Sequence, residues 1–543
     1  MVNVAGRSKG CLTCRARKIK CDLSLPQCSN CTRNGHVCRG YDRPRVFVNY
    51  AVAAAANPTP TQETLVRIPT RTRVKKWRVY VGANANETIQ PTETDARIVA
   101  SPDSRPSERS QFLSQFLDSF CPDGYEALAP SERSAHFWVH ELFLLHGRSA
   151  LLDTAFSTLA TTYIGESNRD CQLQRHATVL YDQSLCALTE LMGQAGGVAD
   201  NNVLAAIMCM GFTEVFSPLR NREHGWIAHN KGACELVESR GTALLHTELG
   251  RNLFLRLRIT GLYSAIGRQE TFPLADRKFH HLSKLANANY FDYLIEEMML
   301  IPQLLKDMTD LTTETEQAVV HTRAMELFAR GKATIRSLLS WLADLRLKYP
   351  NPCVWLNESA DSISGSNTMG NDITGGTSGQ PLYLQRLGFP NLLVAQAMMH
   401  YWAAMIILLR CVLSSIRIVG SHVPASLLLQ FQSGNYLGLL FPVAHGNVMG
   451  AEQETTCDPS HILSQLADAI ACSVPYCLSA KKGAVGPLVV LWPLWVIKDL
   501  HENADCKDEL SQRKHEYCLR MFQGLVDRGV KFSQPLRQYT PPK

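Results

Sequence analysis

Six cysteines between residues 11 and 38 follow the order Cys11-x2-Cys14-x6-Cys21-x6-Cys28-x2-Cys31-x6-Cys38. With 18 cysteines in 543 residues, a window of this length at average composition holds about one. The segment is two copies of one spacing, since Cys11, Cys14 and Cys21 are placed as Cys28, Cys31 and Cys38 are. Each copy supplies three thiolates, whereas structural zinc takes four tetrahedral ligands. One zinc per copy needs a fourth ligand each; His36 could serve the second copy, but the first holds no histidine. Two zincs that share two thiolates need six sulfurs, which matches the count and points to a binuclear cluster. Disulfides suit a secreted miniprotein, but the opening Met-Val-Asn-Val-Ala-Gly-Arg-Ser-Lys has no apolar signal core. The remaining cysteines are scattered singly, mostly in apolar stretches, where a free Cys behaves as a small hydrophobe.

Charge placement points to nucleic acid. Residues 1–50 carry ten Lys or Arg against Asp22 and Asp42, a net of +8 in a chain whose total is +6. Four of the ten, Arg15, Arg17, Lys18 and Lys20, lie inside the first copy, while the second encloses only Arg33 and the titratable His36. The first copy is therefore expected to face phosphates. A second basic cluster, from Arg71 through Arg73, Lys75 and Lys76 to Arg78, reads equally as a nuclear localisation signal, a phosphate contact or a solvated run. Interior candidates in the module are few: Leu12, Ile19, Leu23, Leu25 and Val37. Zinc must then supply the folding energy.

Residues 11–38 resemble the DNA-binding module of the fungal binuclear zinc-cluster transcription factors, including the Arg-Lys-Ile-Lys-Cys-Asp string at 17–22 and Pro26 between the copies. The resemblance implies two zinc ions on Cys11, Cys14, Cys21, Cys28, Cys31 and Cys38, with Cys11 and Cys28 bridging. It also implies a short helix after each Cys-x2-Cys, the first entering the major groove over a CGG triplet. Lys18 takes the place of the base-reading lysine, with Arg15, Arg17 and Lys20 beside it on phosphates. Nuclear localisation, double-stranded DNA with CGG-like half-sites and the transcription machinery follow as implied surroundings and partners. A homodimer stays open, because no apolar heptad runs for three or four repeats after the cluster.

Four regions are expected: a basic tail at 1–10, the zinc module at 11–38, a polar linker at 39–109 and a helical domain at 110–540. The linker is too polar and interrupted by proline to bury a core. Beyond it, Phe112, Leu113, Phe116, Leu117 and Phe120 open a series of apolar stripes of helical period. Others cover 151–164, 173–192, 203–216, 253–266, 293–305, 319–345, 392–413, 462–478, 488–500 and 517–530. Strand alternation is scarce, so the class is all-α: a small zinc module, a disordered linker and a large multi-helix regulatory domain. Residues 392–413 tempt a membrane assignment, but Gln396, His400 and Arg410 favour a buried core helix, with no membrane partner. Residues 365–379 read as a flexible loop and 501–510 as a solvated acidic helix end. The helical region resembles the regulatory domain of a large fungal subfamily through Trp226, His229, Gly232, Ala233, Arg240, Gly241, Leu253, Phe254 and Arg258. Ser473 to Tyr476, Gly486 and Trp492-Pro493-Leu494 continue the match.

No catalytic constellation is found, and a non-enzyme is expected. His140-Glu141-x4-His146 imitates a zinc-protease string, but histidines six apart point about 120° away from each other on a helix. His229 reads as a hydrogen-bonded core histidine. The expected function is a DNA-binding regulator of RNA polymerase II genes that activates a metabolic or secondary-metabolite pathway. The alternative is a protein-interaction or small-molecule-sensing helical module with the cluster as a weak tether.

Overall fold

The computed structural model describes residues 11–24, 27–38 and 105–539, the last with gaps at 125–127, 130–131, 134–137, 146, 148, 194–199, 218–224, 280–287, 350–352, 357–381, 384, 421–458 and 504–507. The second basic cluster, the expected linker before residue 105, the 365–379 loop, Leu25, Pro26, His146 and Asp505 lie outside them. The chain divides into two units after Asp103. The first contains two short helices, α1 (Leu12–Ala16) and α2 (Ser29–Arg33).

The second unit opens with α3 (Arg105–Phe120), ahead of the expected boundary at 110, and continues with α4 (Trp138–Leu144), α5 (Ala150–Asn168) and α6 (Cys171–Met192). Arg169, in the left-handed region at φ 54°, ends α5, and Asp170 starts α6 by accepting from the Gln172 and Leu173 N–H groups. This two-residue turn folds α6 back along α5. Next come α7 (Asn201–Phe216), α8 (Gly225–Arg240) and α9 (Glu248–Arg268), started by Asp200 and Thr247 at the N-caps of α7 and α9. The stripe at 293–305 is two helices, not one: α10 (Tyr290–Met298) and α11 (Ile301–Thr312). Pro302 in the first turn of α11 lacks the N–H that a continuous helix needs there.

After α12 (Gln317–Lys348), a two-residue antiparallel pair, Trp355–Leu356 with Leu387–Gly388, is the only sheet among the described residues. The chain ends with α13 (Leu392–Val419), α14 (Pro459–Cys477), α15 (Val485–Glu502), α16 (Glu509–Asp527) and α17 (Ser533–Gln538). One apolar core runs from Leu113 to Val530. Among the described residues only α13 is long and apolar enough to cross a membrane. It is packed against α10, α11, α12, α14 and α15 as a core helix. The polar groups along it find partners inside the fold: Arg410 pairs with Asp499 at 2.5 Å and His400 bonds the Gln396 carbonyl at 2.7 Å.

Candidate metal centre and nucleic-acid interface

Each Cys-x2-Cys step opens a helix in the same way. The Cys31 N–H donates to Cys28 Sγ at 3.3 Å, and the Cys14 N–H donates to Cys11 Sγ at 3.3 Å. The copies then clasp each other with matched bonds. Thr13 Oγ1 donates to the Val37 carbonyl at 2.9 Å, and its counterpart Asn30 Nδ2 donates to the Lys20 carbonyl at 2.6 Å. Ile19 N–H to the Cys14 carbonyl and His36 N–H to the Cys31 carbonyl form another pair, at 3.0 and 2.9 Å. The repeat in sequence is thus an approximate twofold in space.

The sulfurs converge inside this clasp. Cys11 and Cys28 Sγ are 3.5 Å apart, Cys14 and Cys28 3.6 Å, and Cys31 lies 3.8 Å from both Cys11 and Cys14. A tetrahedral zinc with bonds of about 2.3 Å spaces its sulfurs by about 3.8 Å, whereas a disulfide needs about 2.05 Å. Two groups of four have every ligand sulfur within 4.8 Å of the others: Cys11, Cys14, Cys21, Cys28 and Cys11, Cys28, Cys31, Cys38. The members in common are Cys11 and Cys28. Burial pushes the Cys14 thiol up to about 12, with the Cys11 thiol beside it adding. Thiolates this crowded coexist only around cations. His36 is exposed and belongs to neither group, so it completes no second site.

The expected apolar interior is not there. Ile19 is 41% exposed, Leu23 47% and Val37 82%; the side chain of Leu12, like Leu25, lies outside the description. The core of this unit is the sulfurs themselves. Around a cluster with both copies' backbones wrapped on it, no volume is left for aliphatic side chains.

The basic side chains expected on DNA lie outside this core. Arg17, Lys18 and Lys20 are exposed, and among the described residues no carboxylate pairs with them; the Arg15 side chain falls outside the description. Asp22, the one acid among the described residues of this unit, is engaged elsewhere. It accepts from Ser24 Oγ at 2.5 Å and from the Ser29 N–H at 2.9 Å, contacts that hold its carboxyl well below the usual range. Lys18 also has an unusual backbone, with φ 54°, and its twin in the second copy is Gly35 with φ 66°. A left-handed conformation costs a non-glycine residue roughly 1–2 kcal/mol. The first copy therefore keeps a lysine where the second follows the backbone's preference.

Residues 9–46 match the fungal Zn(2)-Cys(6) binuclear cluster domain, and residues 111–430, more than half of the chain, match the fungal specific transcription factor domain. The chain belongs to the fungal zinc-cluster transcription factors. Its six clustered cysteines bind two zinc ions, and the zinc-cluster module binds DNA. This zinc-cluster factor is 41% identical over 69 residues to the arginine metabolism regulation protein II of Saccharomyces cerevisiae, covering 11% of this chain and 8% of that one. Pestheic acid cluster transcriptional regulator 3 of Pestalotiopsis fici is 24% identical over 43% of this chain and 49% of its own. The aspercryptin biosynthesis cluster-specific transcription regulator of Emericella nidulans is 50% identical over 40 residues, 7% of each chain. The factor thus spans at most about half the length of these relatives. No solved structure matches it.

Two features of the zinc-cluster factor were missed in the sequence. The Asp22 tie to Ser24 and Ser29 had only the Asp-x-Ser string as its sign; the Lys18 conformation could have been read from Gly35 one repeat later. In the helical unit, His140 lies on α4, and the neighbouring Glu141 accepts from Asn252 Nδ2 at 2.7 Å. His229 bonds the Tyr181 hydroxyl at 2.7 Å, as expected of a core histidine.

Proposed function

We propose that this zinc-cluster factor acts in the nucleus as a sequence-specific regulator of RNA polymerase II genes, reading CGG-like half-sites in double-stranded DNA. Cys11, Cys14, Cys21 and Cys28 would hold one zinc and Cys11, Cys28, Cys31 and Cys38 the other, and the two ions would supply the module's folding energy. The observation that carries the proposal is Lys18, exposed and with no carboxylate partner among the described residues, at a backbone position its twin gives to glycine. A lysine donor there suits the O6 and N7 acceptors that guanine presents in the major groove. Arg15, Arg17 and Lys20 fix register on phosphates without reading sequence. The helical unit contacts the transcription machinery. The protein works by binding rather than turnover, a reading its membership of a transcription-factor family supports. Activation of a metabolic or secondary-metabolite pathway is supported by relatives named for the pestheic acid and aspercryptin clusters.

The test is a genome-wide occupancy map of the tagged protein in its host, with Lys18→Ala as the paired control. Peaks over CGG-containing promoters should vanish in the variant. In vitro, Lys18→Ala should cost about 1–3 kcal/mol and relax the triplet preference. A loss equal on all DNA sequences would reduce Lys18 to a phosphate contact. Occupancy indifferent to Lys18 would make the cluster a weak tether for the helical unit.

A further inference from the structure

Four cations are buried among the described residues of the helical unit: Arg256, Arg258, Lys498 and Lys514. Three have carboxylates: Arg258 pairs with Glu296, Lys498 with Glu502 at 2.6 Å, and Lys514 with Asp468 at 2.7 Å. Arg256, 6% exposed, has neither an ion pair nor a hydrogen bond among the described residues. Its Nε is an orphaned donor, and its guanidinium carbon lies 5.2 Å from the centre of the Phe212 ring. Burial lowers its pKa only to about 10, so it remains a cation at neutral pH. A buried charge without a counter-ion is the arrangement folded chains avoid.

Arg256 lines a cavity of about 390 Å3 bounded by α7, α8, α9, α13, α15, the α17 segment and Tyr539. That volume lies within the roughly 300–1,000 Å3 of small-molecule sites. The walls are mostly apolar and aromatic, and no Asp or Glu is among them. On one side Tyr263 stacks on Trp492 at 4.6 Å and 9°, and His400 stacks on Trp492 at 5.4 Å and 18°. The Tyr263 hydroxyl and the Trp492 and Trp495 indole N–H groups are buried and also have no hydrogen-bond partner among the described residues. His400 is held neutral by burial, with a pKa near 3, and its Nδ1 donates to the Gln396 carbonyl, leaving Nε2 as an acceptor. Gln538 and Tyr539 are exposed members of the lining, and the Tyr539 hydroxyl donates to the Gly267 carbonyl at 2.9 Å.

We propose that this cavity is the binding site for a small aromatic carboxylic acid, its carboxylate paired with Arg256 and its rings against the Tyr263, Trp492 and His400 wall. A guanidinium with no acid among the described residues to answer it suits a planar carboxylate from outside, and an apolar surrounding strengthens the pair. The aromatic wall suits an aromatic body. Binding needs nothing from the zinc module; only its role as a regulatory signal rests on the transcriptional proposal above.

The experiment titrates the full-length, zinc-loaded protein with fluorescent anthracenecarboxylate and, separately, with the neutral anthracenecarboxamide. The carboxylate should bind one saturable site at least tenfold more tightly than the amide. Arg256→Leu should bring the carboxylate down to the level of the amide. If that variant fails to fold, Thr260→Trp, which fills the cavity while keeping Arg256, should weaken both probes by tenfold or more. Equal affinity of the two probes for the native protein, or no binding of either at millimolar concentration, overturns the proposal. Preference for the carboxylate that survives Arg256→Leu, or binding indifferent to Thr260→Trp, overturns it as well. DNA binding measured on the same preparation is read separately: intact DNA binding without probe discrimination defeats this site alone, and discrimination without DNA binding defeats only the transcriptional proposal.

Discussion

The two units of this chain are both helical and are held by different forces. In the first, two five-residue helices surround six sulfurs, and the aliphatic residues Ile19, Leu23 and Val37 face solvent. In the second, one apolar core extends from Leu113 to Val530, with Trp402 and Tyr401 fully enclosed. Metal bonds are few, strong and directional, so they tolerate a strained Lys18 and a bare surface. Dispersion and hydrophobic burial are many and weak, so the helical unit must bury most of α13 and find a carboxylate for three of the four buried cations among the described residues. The contrast says where each unit is vulnerable.

The largest expected effect is chelation. Removing zinc should unfold the first unit, at about 10–16 kcal/mol of apparent binding energy, and abolish DNA binding. The thermal transition of the helical unit should remain. Calorimetry with and without chelator, beside a DNA-binding titration, checks this; a single transition lost as a whole would mean that the two units fold as one. Next is Trp402→Ala in α13, expected to cost about 3–5 kcal/mol in the helical unit and to leave two zincs per chain by metal analysis. Acid is the third probe. Burial depresses His400 to about 3, and His229 and His501 to about 4. The unfolded chain, with histidines near 6.5, then binds more protons than the folded one below that pH. Stability of the helical unit should therefore fall as the pH drops from about 6.5, by about 1.4 kcal/mol per pH unit from His400 alone. His400→Gln, compared by melting curves at pH 7 and pH 5, should flatten that slope. The smallest effect sharpens the contrast most: Lys18→Gly should stabilise the zinc module by roughly 1 kcal/mol, by relieving the left-handed backbone, while losing the same triplet preference as Lys18→Ala. Lower chelator resistance in Lys18→Gly would show that the lysine is not strained.

Legibility followed the same division. Cysteine spacing singles out the six clustered thiols because metal geometry is short-ranged and fixed, whereas the two short helices followed only from the family resemblance. The aliphatic residues misled, because the habit of burying Ile19 or Val37 assumes a core that 28 residues around a metal cluster do not have. In the helical unit, stripes such as 203–216 gave their helix almost to the residue, since periodicity is local. The break between α10 and α11 was lost under a continuous apolar stripe, although Pro302 marked it. The cavity could not be seen at all, because its walls come from positions as distant as Phe212 and Tyr539. Its one trace in the sequence is Arg256 within a mostly apolar run on α9, a pattern shared by Arg258, whose Nη2 pairs with Glu296.

The matched bonds between the two copies of the zinc module have a consequence for how such a surface changes over time. Thr13 and Asn30 clasp main-chain carbonyls, at Val37 and Lys20, and neither clasp depends on which side chains those two positions carry. Substitutions at the exposed rim positions 17, 19 and 20 can therefore accumulate without eroding the scaffold beneath them, while position 18 also answers to its left-handed backbone. On the proposed reading of DNA, a lineage could retune the word one letter at a time, while α13, buried along most of its length, stays frozen.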